Sequence, residues 1–479
     1  MAYEHGITVL EKGTATTAAI TGTSGLQVVV GTAPVNMVAY NATKSGVVNV
    51  PILANTYKEA VQQLGYSDEF KSYTLCMEMY HTFQVEGAGP IVLINVLDPA
   101  KHKSAFSETT LTLTNTMATL NEKGVLTSTL TVKSGTTALD AGDYTTEFND
   151  DGTLEITVTK KGVSTITVSG EKLDPSMVTA KDIVGGLDSA TGEETGIEAV
   201  RKVYPKLGMT PGIILAPYWS KDATVCAALQ AKVTTMNGCF RVFFCADIDS
   251  SDTGATKYTD VKSQKEKQGL NSAYGAAGWL WGKVGDYLIA PSVVMAAKLA
   301  YVDASLGDVP YDGLDNQTVS ISAACLEDGT EVLLDQEQAS EVNGYGVCTL
   351  LNMNGWRLWG NNTCAYPSNT DPKDRWISIR RFMSWAANTF ILTYFQKLGR
   401  PVNTRFIQDI VQSENIRGNS FVARDICAKY SIAYDEDSSD LANGKVAFYQ
   451  YMSPYPPAEN IVDTIEYDLT AVTEALASA

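Results

Sequence analysis

The chain has 479 residues, more than one compact core usually organises, so several domains are expected. Its formal charge of −18 argues against a nucleic-acid backbone or an anionic membrane surface as the main partner, because both are negatively charged. With 44% hydrophobic and 19% charged residues the composition is that of a folded protein and excludes a disordered one.

The opening stretch MAYEHGITVLEKG lacks the basic segment and apolar run of a secretory signal, and no apolar run reaches the roughly 18 residues of a membrane helix. Eight cysteines are scattered without a CxxC pair, so they read as reduced core residues rather than disulfides or zinc ligands.

In chain order, Ile7 to Leu10 is a short strand candidate, followed by a Thr/Ala/Gly stretch too poor in large apolar residues to build a core; residues 1–24 therefore read as an arm. LQVVVGTAP is a buried-strand run, NTYKEAVQQLGY a short helix capped by Asn55 or Thr56 and ended at Gly65, and IVLINVLD (Ile91 to Asp98) a second strand. Residues 25–104 thus form a small α/β unit.

From about Ser104 to Ala180 the chain is rich in Thr and alternates with period two in LTLT, STLTVKSG, TLEITVTKKG and STITVSG, which predicts a small β-sandwich inserted at 105–184. Strand–helix–strand order returns in PGIILAP, DATVCAALQAKVTTM and CFRVFFCAD, predicting a parallel sheet within 185–371. DIDSSDTGATKYTD (Asp247 to Asp260) lacks EF-hand spacing and reads as a solvated acidic loop. The glycines of GAAGWLWGKVG (Gly275 to Gly285) read as close-packing positions beside Trp279 and Trp281 rather than as a dinucleotide site.

Asp371-Pro372 is an N-cap and first-turn pair that predicts a long helix to Leu398, stopped by Gly399 and Pro401, with Ile379, Met383, Ala386, Phe390 and Tyr394 on its core face. A second helix is expected from Asn403 to about Arg417, an acidic loop over Asp435 to Asp440, and two closing strands, Lys445 to Met452 and Asn460 to Leu469. Residues 372–458 form a C-terminal domain and 459–479 a C-terminal arm.

Four segments in order resemble the contractile-tail sheath family of phage tails, phage-tail-like bacteriocins and contractile injection systems. They are Val28 to Asp98 (VVVGTAPVN, VPILANTYKEAVQQLGY, AGPIVLINVLD), Leu288 to Asn316, the glycine–tryptophan block Leu334 to Thr363, and Asp371 to Ile391 with Arg380-Arg381. The chain departs from the family pattern at Trp356 and Leu358 and in a shorter stretch before Arg380. The fold the resemblance implies is α/β, more fully a multidomain α+β chain. It has a subtilisin-like α/β middle domain, a surface-exposed inserted β-sandwich and an α+β C-terminal domain with exchanged terminal strands.

The resemblance implies a structural subunit that polymerises around a tail tube in a metastable extended state and contracts to drive the tube through a cell envelope. Its implied partners are itself, in a helical homo-oligomer of hexameric rings, the tail tube protein, and the baseplate and terminator proteins, without nucleic acid or membrane insertion. The implied location is the virion tail or a phage-tail-like particle assembled in the bacterial host cytoplasm. No cofactor, metal or catalytic residue is expected. A hydrolase on the subtilisin-like scaffold would need a histidine base near a serine, and His5, His81 and His102 all precede the middle segment. A secreted or surface β-rich binding protein is the other alternative, suggested by the Thr-rich insertion.

Two surfaces are expected to carry assembly. Terminal strands Ile7, Thr8, Val9, Leu10 and Ile461, Val462, Ile465, Tyr467, Leu469 exchange with neighbouring sheets, or else pair within their own subunit. From Lys373 to Lys429 ten basic residues face four acidic ones, a local +6 in a chain of −18. Arg375, Arg380, Arg381, Lys397, Arg400 and Arg405 are thereby expected to face an acidic tube; intersubunit ion pairs, or pairing with the Asp435 to Asp440 loop, are the alternatives.

Overall fold

The computed structural model describes residues 23–38 and 45–477. The expected strand Ile7 to Leu10 lies outside the described residues.

The body is built on a six-stranded sheet of β1 (Gln27–Gly31), β2 (Ile52–Ala54), β3 (Ile91–Asn95), β4 (Ile213–Leu215), β5 (Phe243–Asp247) and β6 (Gly275–Gly278), in the order β6-β5-β4-β1-β3-β2. Five strands are parallel, in registers such as Gln27 with Ile91, Gln27 with Ile213 and Ile213 with Phe243; β2 runs antiparallel at one edge. Continuous apolar runs suit this position because helices cover both faces, and β1, β3, β4 and β5 are buried at every residue. The strands preceding the insertion and those following it therefore share one layer and one core, which extends from Leu26 to Ile377.

Helix α1 (Tyr57–Leu64) begins at Thr56, whose side chain accepts from the Glu59 amide, and stops at Gly65 with φ 77°. Helix α2 (Ala223–Lys232) connects β4 to β5, and α3 (Pro291–Ser305) is buried along most of its length, as a helix apolar around its circumference should be. The close-packing reading holds for Gly275, Gly278 and Gly282 but not for Gly285, which has open space around it and takes φ 60° in a turn. A Cβ at Gly275 would lie 2.0 Å from the Phe244 ring and one at Gly278 2.7 Å from Pro291, while Trp279 and Trp281 are buried beside them.

The Thr-rich insertion is a two-sheet sandwich of four and three antiparallel strands with its own core, including Val132, Leu154, Ile156, Ile166 and Val168. Its entering and leaving strands pair directly, Lys103 opposite Leu173, so the insertion leaves the body through a single two-stranded neck.

The C-terminal region departs from the sequence reading in five places. Asp371 does cap a helix, but only the turn Pro372–Arg375. Trp376 is extended because Ile377 N donates to Asn361 O (3.0 Å) and Thr363 N to Arg375 O (2.7 Å), pulling this backbone into a bridge; the long helix α4 starts afresh at Ile377 and runs to Tyr394. On α4, Phe382 and Trp385 lead the packing with Ala386, and Met383 and Phe390 are only half-buried.

The second helix, α5 (Thr404–Ala423), is capped by Asn403 and continues beyond Arg417 because Gly418 lies flush against Tyr430, where a Cβ would come within 2.3 Å of the ring. The acidic stretch Asp435 to Asp440 is no loop but the end of strand β7 (Cys427–Asp440), which forms a long hairpin with β8 (Lys445–Pro454). Finally, residues 460–468 form no strand, and Leu469–Ala477 is helical.

Candidate assembly surfaces

The basic residues of the C-terminal region divide into two groups. Arg380 and Arg381 are each 3% exposed, so they cannot grip a tube, which corrects the expectation for both. Neighbouring helical positions point about 100° apart, and the two side chains go to different partners. Arg380 pairs with Asp374, donates to Tyr274 Oη (3.1 Å) and Lys373 O (3.1 Å), and stacks on the Tyr274 ring at 4.6 Å. Arg381 donates through Nη1 and Nη2 to the two oxygens of Asp303 on α3 (2.9 and 2.5 Å) and also to Ser24 O (3.1 Å). Arg375 is half-buried and pairs with the exposed Glu459.

The second group stays outside. Between α4 and α5 the chain turns through residues 395–403, where Phe395 and Leu398 are 69% and 72% exposed and Val402 is also exposed. Lys397 lies 3.6 Å from Asp409, while Arg400 and Arg405 are exposed and enter no ion pair among the described residues. An apolar tip ringed by three cations is thus presented on an acidic chain.

Beyond it, the β7–β8 hairpin is a two-stranded sheet whose outer edges have no partner strand among the described residues, and Tyr449 and Tyr451 are exposed along β8. The segment after it carries Ile461, Val462, Ile465, Tyr467 and Leu469, all 65 to 90% exposed. Sequence reasoning found this apolar arm but placed it in a strand; alternation marks the propensity and does not show a pairing strand, and none is present for it among the described residues.

Among the described residues no histidine is brought to a serine as a hydrolase would require. At the carboxyl end of β5, Asp247 is buried rather than solvated, and accepts from Tyr218 N (2.9 Å), Ser220 Oγ (2.8 Å) and Ser292 N (2.7 Å). Burial raises its pKa, with these bonds acting in opposition. His81 is enclosed behind α3 with neither ring nitrogen partnered, and burial, reinforced by Lys298, pushes its pKa down to about 3. His102 Nδ1 accepts from Asp98 N (2.9 Å) at the neck of the insertion. Neither described histidine reaches a serine hydroxyl. Among the described residues no three His, Cys, Asp or Glu side chains are grouped to hold a metal, and no helix is long and apolar enough to cross a membrane.

No protein-family model matches the chain. The tail sheath protein of Escherichia phage P2 is 24% identical over 295 residues, 59% of this chain and 69% of that protein. The tail sheath protein of Burkholderia phage BcepMu is 24% identical over 504 aligned residues, spanning 98% of this chain and 97% of that protein. Over nearly its whole length the chain resembles the contractile-tail sheath family. Among solved structures, the helical sheath of the anti-feeding prophage in its contracted state superposes with a TM-score of 0.57, covering 97% of this chain and 99% of that one. At 14% identity this likeness establishes the fold.

Proposed function

We propose that the chain is the structural subunit of a contractile sheath: it polymerises around a tube, holds an extended state, and shortens to drive the tube forward. The observation that carries this reading is the pairing of an open hairpin with an exposed apolar arm in one chain. Among the described residues the β7–β8 edges and Ile461 to Leu469 have no strand partner, and the two are complementary between copies. Passing an arm from each copy to the next gives a heterologous contact, which does not close on itself and so builds a helix. The N-terminal residues Ile7, Thr8, Val9 and Leu10 belong to the same scheme as a second exchanged strand.

The tip bearing Lys397, Arg400 and Arg405 faces the tube in this reading, with Phe395 and Leu398 supplying apolar contact. Exposed cations give a salt-sensitive hold that can be broken during sliding. Baseplate and terminator proteins cap the two ends of the array, hexameric rings are its repeat, and particles assemble in the host cytoplasm. The subtilisin-like description of the middle segment concerns shape, with no catalytic role attached. Contraction needs no nucleotide: a modest free-energy difference per subunit, summed along a coupled array and released at the baseplate, suffices.

Electron microscopy of the purified chain tests the reading. Striated tubes or stacked rings are expected; particles that remain monomeric at every concentration and salt would contradict it.

A further inference from the structure

The C-terminal arm is not free from the point where the hairpin ends. Glu459 pairs with Arg375, and its other carboxylate oxygen accepts from Asn362 Nδ2 (3.4 Å). Arg375 is held in place before Glu459 arrives: Nε donates to Asn362 Oδ1 (2.9 Å), and the guanidinium lies 4.5 Å from the Tyr366 ring and 4.0 Å from that of Trp376. A planar cation fixed between two rings loses little freedom on binding a carboxylate. Pro457, Glu459 and Asn460 close one side of a cleft of about 420 Å³ whose other walls include Asp315, Trp359 and Asn362. From Ile461 onward every described residue is exposed.

We propose that Arg375 and Glu459 form a clasp that divides the C-terminal segment into a root fixed on the body, residues 455–460, and a working arm that starts at Ile461. This inference rests on the sheath reading for its purpose. A fixed root sets the point from which the arm departs, and so limits which neighbour it reaches and at what spacing. Opening the clasp frees six further residues, about 20 Å of additional reach at the extended rise per residue. An array built with the longer tether loses its uniform repeat. The clasp is partly exposed, 23% at the Arg375 side chain and 46% at Glu459, so salt weakens it.

The test is the backbone mobility of residues 459–463 in monomeric full-length chain, read as the 1H–15N nuclear Overhauser effect and compared among wild type, Glu459→Gln, Arg375→Gln and Arg375→Lys. Expected are values at 459–460 close to those of the folded body in wild type, a fall to those of the free arm in the two glutamine variants and an intermediate fall in Arg375→Lys, which keeps the charge but not the planar fork, with β1 and β3 unchanged. Equal values at 459–460 in all four proteins would overturn the clasp. The sheath reading fails separately, if wild type forms no tubes; where wild type does form them, the glutamine variants are expected to give tubes of irregular repeat, and a wild-type repeat in both would overturn the clasp's purpose.

Discussion

Arg381 and Asp303 form a two-pronged ion pair in which the side chains are 2% and 0% exposed, joining α4 to the last turn of α3. A buried pair of this kind is weak as a source of net stability but costly to break, since one partner alone leaves an uncompensated charge. Arg381→Gln is expected to cost about 3–5 kcal/mol in urea unfolding. The double change Arg381→Met with Asp303→Leu, which removes both charges, is expected to recover most of that loss. Reversing Arg380 and Arg381 should therefore unfold the C-terminal region, not merely detach it from a partner.

The tip behaves oppositely. Charge reversal at Arg400 and Arg405 touches only exposed side chains, so stability should move by no more than about 0.5 kcal/mol, whereas Lys397 is half-buried beside Asp409 and its reversal should cost up to about 1 kcal/mol more. Assembly on an acidic tube should be lost in a pelleting assay, and wild-type protein should show the same loss progressively as salt is raised.

How far the sequence discloses these roles depends on range. The buried strands of the sheet, the Thr56 cap and the independent sandwich were legible, because period and punctuation are local properties. The role of Arg380 and Arg381 was not: a helical arginine reads the same whether it faces solvent or an aspartate 78 residues away. The break at Trp376 was hidden for the same reason, since a bridge to Asn362 overrides a good helical start. Glu459 gave no signal at all, being one acid among several near the end of the chain.

Two buried groups make stability depend on pH in opposite senses. Burial pushes Glu78 up to about 8 from an ordinary 4.5, with the Thr82 hydroxyl only partly offsetting, so its neutral form is native and its contribution is lost as pH rises from 4.5 through 8. His81, pushed down to about 3 from 6.5, contributes stability above 6.5 that is lost as pH falls towards 3. The two slopes oppose between 4.5 and 6.5 and act unopposed outside that window. Glu78→Gln should flatten the alkaline fall, whose limit is about 1.4 kcal/mol per pH unit, while leaving the acid fall in place. Urea unfolding at pH 4, 6 and 8 checks both.

The insertion should be separable. Because Lys103 and Leu173 are direct partners at its neck, replacing residues 104–172 with a tight turn leaves the body's strands undisturbed. The loss should be limited to about 1.5–3 kcal/mol, chiefly from uncovering the body core where Leu126 of the insertion seals it. Unfolding that remains cooperative in the shortened chain, followed by circular dichroism, is the expected result.

The central claim is that copies of this chain join through the segment after the clasp. Analytical ultracentrifugation of the full-length chain beside a chain ending at Asn460, under conditions where the full-length protein forms tubes, addresses it most directly. Fast-sedimenting assemblies for the full-length chain and a single folded monomer for the truncated one are predicted. Assemblies of the same size and amount from both would contradict the account.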